Sequence, residues 1–180
     1  MLTELDILKD VTRKFDQLNI QYMLTGSLAM SYYSQPRMTR DIDLVVNILH
    51  DSVKEMEALF TADYYISIDS VINAIEKEFI FNLIHTKSSI KVDCIVRKKE
   101  EYRITEFERR QKIRLADFDI YIVSKEDLII SKLIWFKESN SELQKKDIKN
   151  LLNSGYDNNY LQNWIRRLNL INQFQVVINA

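Results

Sequence analysis

Leu24-Thr25-Gly26-Ser27-Leu28-Ala29-Met30, followed by Arg37-Met38-Thr39-Arg40-Asp41-Ile42-Asp43-Leu44-Val45-Val46, is the stretch whose reading decides the fold. The chain has only two glycines, and one of them stands before a serine, between an apolar run and a helical pattern. Asp41 and Asp43 then head a run of strand-forming residues. Side chains alternate along a strand, so the two aspartates share one face while Ile42 and Leu44 point to the other. Two neighbouring carboxylates repel each other unless a positive charge lies between them. A hard divalent cation, Mg²⁺ or Mn²⁺, suits oxygen ligands of this kind. The Gly-Ser turn adds backbone N–H groups and a hydroxyl at a helix N-terminus, where an anionic phosphate is stabilised. Metal and phosphate on adjacent elements together imply nucleotide chemistry.

The ordered set, Gly26-Ser27, a short helix, Arg37-x-Thr39, then Asp41-x-Asp43, resembles the nucleotidyltransferase superfamily with the DNA polymerase β-like fold. Its variant is most similar to the nucleotidyltransferase toxins of abortive-infection systems, over roughly residues 20–150. A lone Asp-x-Asp is common by chance; the ordered combination is specific. The resemblance implies two Mg²⁺ or Mn²⁺ ions, an NTP substrate, a third strand aspartate beside the acceptor hydroxyl, and a possible cognate antitoxin as partner. It also implies that Gly26, Ser27, Arg37 and Thr39 meet the nucleotide.

Composition sets the bounds. At 180 residues and 46% apolar, the chain fits one compact unit, or a sheet with a helical tail. We divide it into a nucleotidyltransferase core over 1–124 and a helical C-terminal part over 125–180, packed on that core. With 25 basic and 26 acidic residues the net charge is −1, which argues against binding nucleic acid through a global basic field. Two local runs, Arg97-Lys98-Lys99 and Arg109-Arg110-Gln111-Lys112-Ile113-Arg114, read most simply as solvated faces. A single cysteine, Cys94, precludes an internal disulfide. The N-terminus mixes charged and apolar residues, unlike a signal peptide, and no apolar run approaches ~18 residues. The expectation is a soluble cytoplasmic protein without membrane attachment.

The pattern predicts a mixed α+β fold: an α/β mixed sheet with helices on one face, then helices to the C-terminus. Thr3-x-x-Asp6 opens a helix with Leu5, Leu8, Val11, Phe15 and Leu18 on its apolar face. Strands are expected at 22–24, 41–46, 113–115 and 120–123, and Thr86-Lys87-Ser88-Ser89 joins runs 79–85 and 90–96 as a hairpin. Helices are expected at 28–33, 52–60, 125–137, 142–153 and 159–168, with Gly155 as a helix-terminating glycine. Residues 64–75 are ambiguous in pattern, and the two tryptophans, Trp135 and Trp164, read as core.

Asp93 sits mid-strand in Ile90-Lys91-Val92-Asp93-Cys94-Ile95-Val96, where an aspartate is disfavoured. Taken alone it is an edge residue facing water; the resemblance makes it the third metal ligand, activating the acceptor. Cys94 points the other way, into the core. Lys132 lies in a helix apolar on nearly every side, and Asp147 falls on the apolar stripe of the next helix, so both need partners. An inter-helix ion pair satisfies that need. The resemblance instead places Lys132 and Lys146 on the triphosphate, with Asp147 orienting one of them. At Asn150 the chain departs from the family, which carries a second acid there.

The function these features imply is transfer of a nucleoside monophosphate from an NTP to an acceptor hydroxyl on tRNA or another RNA, a protein, or a small molecule. The alternative is a degenerate relative that binds nucleotide without turnover.

Overall fold

The computed structural model describes residues 2–34 and 41–179. Arg37 and Thr39, expected at the nucleotide, lie outside the described residues.

The chain opens with α1 (Glu4–Gln17), held at its start by a capping box in which Thr3 and Asp6 satisfy each other's backbone N–H groups. Strand β1 (Gln21–Thr25) leads directly into α2 (Gly26–Tyr33), and β2 (Asp41–Asn47) returns antiparallel to β1. A 3-10 turn and α3 (Val53–Phe60) follow, then β3 (Tyr64–Ile66) and α4 (Ile68–Lys77). The segment the sequence left open is therefore a short strand and a helix, the latter capped by Ser67. The expected hairpin forms as β4 (Ile80–His85) and β5 (Lys91–Val96), with Ser89 in the left-handed region at φ 57°. Next come α5 (Glu101–Glu108), β6 (Gln111–Leu115) and β7 (Phe118–Ile122). The remainder is helical: α6 (Lys125–Ser139), α7 (Glu142–Leu152), α8 (Asn158–Arg167) and α9 (Ile171–Ile178). Helices α5 and α9 had no counterpart in the sequence reading.

The strands form one seven-stranded mixed sheet in the order β3-β4-β5-β2-β1-β7-β6. Pairings β2–β5 and β1–β7 are parallel and the others antiparallel. Because β5 is the parallel neighbour of β2, residues two apart on each strand line up on one face, and this registers the site. The opposite face carries Ile42, Leu44 and Val46 of β2 with Val92, Cys94 and Val96 of β5, all buried. Helices α1 and α3 cover that face: Phe15 packs at 6.1 Å from Tyr22, which pairs with Val46, and at 5.6 Å from Phe60. Helix α6 lies over the face bearing Asp43, burying Leu128, Ile129, Ile130 and Leu133. The C-terminal helices complete the same core.

Three details differ from expectation. Gly155 is not in the left-handed region; α7 ends at Leu152 with Asn153 still helical, and the Gly155 carbonyl accepts a bond from Lys125. Trp135 is 56% exposed rather than core, whereas Trp164 is buried. Arg109 and Arg110 do not form a solvated face: Arg109 lies 3.7 Å over the Tyr160 ring and donates to Asp127, and Arg110 stacks on Phe107 at 4.3 Å. None of the described helices is long and apolar enough to cross a membrane.

Candidate active site

The parallel register of β2 and β5 sets Asp43 directly beside Asp93, and Asp41 beside Lys91. The antiparallel register of β1 sets Thr25 against Asp43 from the other side. The three aspartates expected at the site therefore share one face of two adjacent strands.

Their surroundings differ. Asp41 stands at the outer end of β2 and is exposed. Asp93 is engaged at both oxygens: the Asn82 amide on β4 donates to Oδ1, and the Lys91 ammonium lies 2.9 Å from Oδ2. The same ammonium is 4.0 Å from Asp41 Oδ1. Asp43 is the deepest of the three, and its carboxyl is pushed up to about 6 by burial first, then by repulsion from Asp93 and Asp41. The positive charges of Lys132 and Lys91 offset part of that rise.

Gly26 is required where it stands. Its φ is +65°, and a side-chain Cβ there would lie 2.0 Å from Asp43 Oδ2. The Gly-Ser turn is pressed against the central carboxylate, and only glycine allows that approach. Ser27 is buried at the second position of α2, its carbonyl accepting from the Ser31 hydroxyl.

A cavity of about 730 Å³ opens from this corner, with Gly26, Asp43 and Lys132 at one end. Val45 and Ile95 of the sheet and Leu128 and Ile134 of α6 form its apolar walls, and Trp135 stands on its rim. Farther along, Arg103, Glu106 and Ser131 make a closed polar network in the wall. Arg103 donates to Glu106 at 2.8 Å and to Ser131 at 2.7 Å, and the Ser131 hydroxyl donates to the other Glu106 oxygen. No local pattern signals this network, because the short, half-charged α5 carries two of its three residues.

Lys132 meets the cavity from α6 while donating to Asp147 at 2.8 Å and Gln144 at 3.2 Å on α7. The inter-helix ion pair and the position beside Asp43 are thus properties of one side chain. Lys146 is exposed on α7 and does not line the cavity; one residue along a helix turns the side chain by about 100° from Asp147.

No family model matches this chain, and no curated protein does either. Solved structures do match. The lincosamide antibiotic adenylyltransferase LnuA, with lincomycin bound, aligns with TM-score 0.53 and 19% identity over 83% of this chain and 96% of its own. An antigenic nucleotidyltransferase-like protein from Paracoccidioides brasiliensis aligns with TM-score 0.54 and 19% identity, over 83% of this chain and 74% of its own. The fold is that of the nucleotidyltransferases. A Thermotoga maritima protein assigned to the same class agrees, with TM-score 0.51 and 18% identity over 81% and 94% of the two chains. At these identities the likeness establishes the nucleotidyltransferase fold of this chain, and the chemistry has to be argued from its own residues.

A divalent cation is tested here by the donor set. Three carboxylates on one face of two adjacent strands, with the Asp43 carboxyl pushed up by burial and then by its neighbours' charge, are hard oxygen ligands in excess of the cations around them. They fit Mg²⁺ or Mn²⁺ in kind. Among the described residues, however, no three acidic, histidine or cysteine side chains already converge as a cation shell.

Proposed function

We propose that this protein is a metal-dependent nucleotidyltransferase: it moves a nucleoside monophosphate from an NTP to an acceptor hydroxyl and releases pyrophosphate. The observation that carries the reading is the in-register pair Asp43–Asp93 on a nucleotidyltransferase fold, with Asp43 lining a cavity large enough for a nucleoside.

Asp41, Asp43 and Asp93 would hold Mg²⁺ or Mn²⁺, as two ions when the site is loaded. Such ions neutralise phosphate charge and stabilise the entering and leaving oxygens of an in-line displacement. Gly26 lets the start of α2 lie against Asp43, which sets a helix N-terminus suited to phosphate beside that carboxylate. Lys132, fixed by Asp147 and Gln144, supplies a positioned positive charge at the same end of the cavity. Ser27, Arg37 and Thr39 are assigned to the nucleotide on the sequence resemblance; Lys146 needs a helix rotation or a larger ligand to join them. Asp93 accepts the proton-bearing side of the acceptor hydroxyl and favours its deprotonated form. The half-open cavity with its largely apolar walls favours a small hydroxylated acceptor over a duplex nucleic acid, and LnuA makes lincomycin the first to try. An RNA or protein acceptor, with a toxin role and a cognate antitoxin, is the form of the reaction that the abortive-infection resemblance adds. Use of cellular NTPs puts the protein in the cytoplasm.

The test incubates the protein with each labelled NTP and Mg²⁺, against lincomycin and against RNA, protein and small-molecule fractions. Label transfer abolished by Asp93→Ala, with NTP affinity kept, supports the reading. A loss of ~4 kcal/mol of transition-state stabilisation would be roughly a thousandfold in rate. Transfer that survives Asp93→Ala makes Asp93 a strand residue only.

A second reading, nucleotide binding without turnover, draws on one observation: an ammonium already stands between Asp41 and Asp93. Tight NTP binding with no transfer to any fraction would favour it.

A further inference from the structure

We propose that Lys91 is an internal counter-ion of the carboxylate site, which a divalent cation must displace in order to bind. The inference rests on the metal-dependent reading above. Lys91 lies two residues before Asp93 on β5 and faces Asp41 across the parallel pairing, so strand register alone places its ammonium between the two carboxylates. The distances are 2.9 Å to Asp93 Oδ2 and 4.0 Å to Asp41 Oδ1.

Asp93 shows why displacement is needed. Asn82 holds Oδ1 from the neighbouring strand, which fixes the carboxylate plane, and Lys91 holds Oδ2. An ammonium 2.9 Å from Oδ2 repels a divalent cation arriving at the same oxygen, so the cation binds there as Lys91 moves off and Asn82 keeps the group oriented. Lys91 is suited to leave. Its side chain is 41% exposed on a flexible stem, whereas the other lysine near the site, Lys132, is 5% exposed and tied to Asp147. Moving the Lys91 head into water costs little, because an ion pair this exposed contributes little.

The consequence is a threshold. Without metal, Lys91 relieves the repulsion among three aspartates and keeps the strands paired. With metal it becomes a competitor, so free cation binds weakly and cation arriving with nucleotide phosphates binds better. Lys91 is in this sense a residue that sets metal affinity, and it takes no part in bond making.

The experiment titrates Mn²⁺ into the full-length chain and reads free Mn²⁺ by EPR, with no nucleotide present. Wild type is compared with Lys91→Met, Lys91→Gln, Lys91→Arg and Asp93→Asn, all checked for folding by circular dichroism. Both neutral variants should bind Mn²⁺ about two- to fivefold tighter than wild type, the size of a half-exposed ion pair. Lys91→Arg should not tighten binding. In EDTA the neutral variants should melt below wild type, and Mn²⁺ should restore them. Unchanged or weaker Mn²⁺ binding in both neutral variants, with binding lost in Asp93→Asn, overturns the counter-ion role and leaves the metal site standing. No Mn²⁺ binding by wild type or by the neutral variants, with or without a non-hydrolysable NTP, overturns the metal reading and this inference together.

Discussion

Asp43 shows how one residue holds the tension of the site. Its carboxyl titrates at about 6 where a free aspartate titrates at 3.8, because burial and two neighbouring carboxylates disfavour the charged form. The folded state therefore holds this proton more tightly than the unfolded state, so stability is full below 3.8 and is lost as pH rises through about 6. Asp43→Asn removes that loss. In EDTA at pH 8 the variant should be more stable than wild type by about 2–3 kcal/mol, and at pH 3.5 the two should match. Urea unfolding at the two pH values measures it; an equal difference at both would mean Asp43 is not strained. Mn²⁺ should narrow the gap at pH 8 by stabilising wild type alone. Gly26 belongs to the same scale. Gly26→Ala adds a Cβ 2.0 Å from Asp43 Oδ2 at a φ of +65°, so it should cost about 1–3 kcal/mol and weaken Mn²⁺ binding by moving Asp43. A melt with unchanged Mn²⁺ affinity would separate the turn from the site.

At the scale of elements, the buried ion pair between α6 and α7 decides how Lys132 can be studied. Lys132→Met removes the ammonium that donates to the buried Asp147, 1% exposed, and should cost about 3–5 kcal/mol. Lys132→Met/Asp147→Leu should recover most of that stability, because replacing both partners by apolar groups is often neutral. NTP affinity of the double variant then isolates the phosphate contact, with an expected loss of ~1.5–3 kcal/mol. Normal NTP binding would make Lys132 structural only. Element by element, what the sequence revealed follows from the strength of local signals. Period-2 alternation located β2 and β5, a period-3.6 stripe with the capping box at Thr3 located α1, and a long apolar run located α6, each to within a few residues. Helix α5 was hidden because half of its positions are charged and its cap residue, Glu100, makes no side-chain capping bond; α9 was hidden because its Ile and Val content reads equally as strand. The aspartates were legible, since alternation alone puts Asp41 with Asp43 and Lys91 with Asp93. The place of Lys91 opposite Asp41 was not, because parallel pairing of β2 and β5 is a long-range fact that no local pattern encodes. The exposed Trp135 was misread for the same reason: a tryptophan on an apolar helix reads as core until a cavity is found beside it.

At the scale of the molecule, the boundary near residue 124 crosses continuous packing. The buried residues of the sheet and of the C-terminal helices form one apolar cluster. Asp127, fully buried at the start of α6, accepts from Ser124 at 2.6 Å, from Arg109 of α5 at 3.1 Å and from the Tyr160 hydroxyl of α8 at 2.7 Å. Lys125 donates to the carbonyls of Ser154 and Gly155 beyond α7. One carboxylate and one ammonium thus tie the edge of the sheet to three helices, and separating the two segments would strip each of its partners. We therefore expect residues 1–124 alone to lack a fixed fold, and the whole chain to unfold as one unit. The chain carries its own probes for this. Both tryptophans lie after residue 124, while Cys94 is buried in β5 and becomes reactive only when the sheet opens. Tryptophan fluorescence and Cys94 thiol labelling should report the same urea midpoint, as a two-state transition requires. A fluorescence transition that precedes thiol exposure would show the C-terminal helices leaving a sheet that stands without them. The cavity would then lose the α6 wall that carries Lys132 before Asp43 and Asp93 came apart, and nucleotide binding should be lost at the first of the two midpoints.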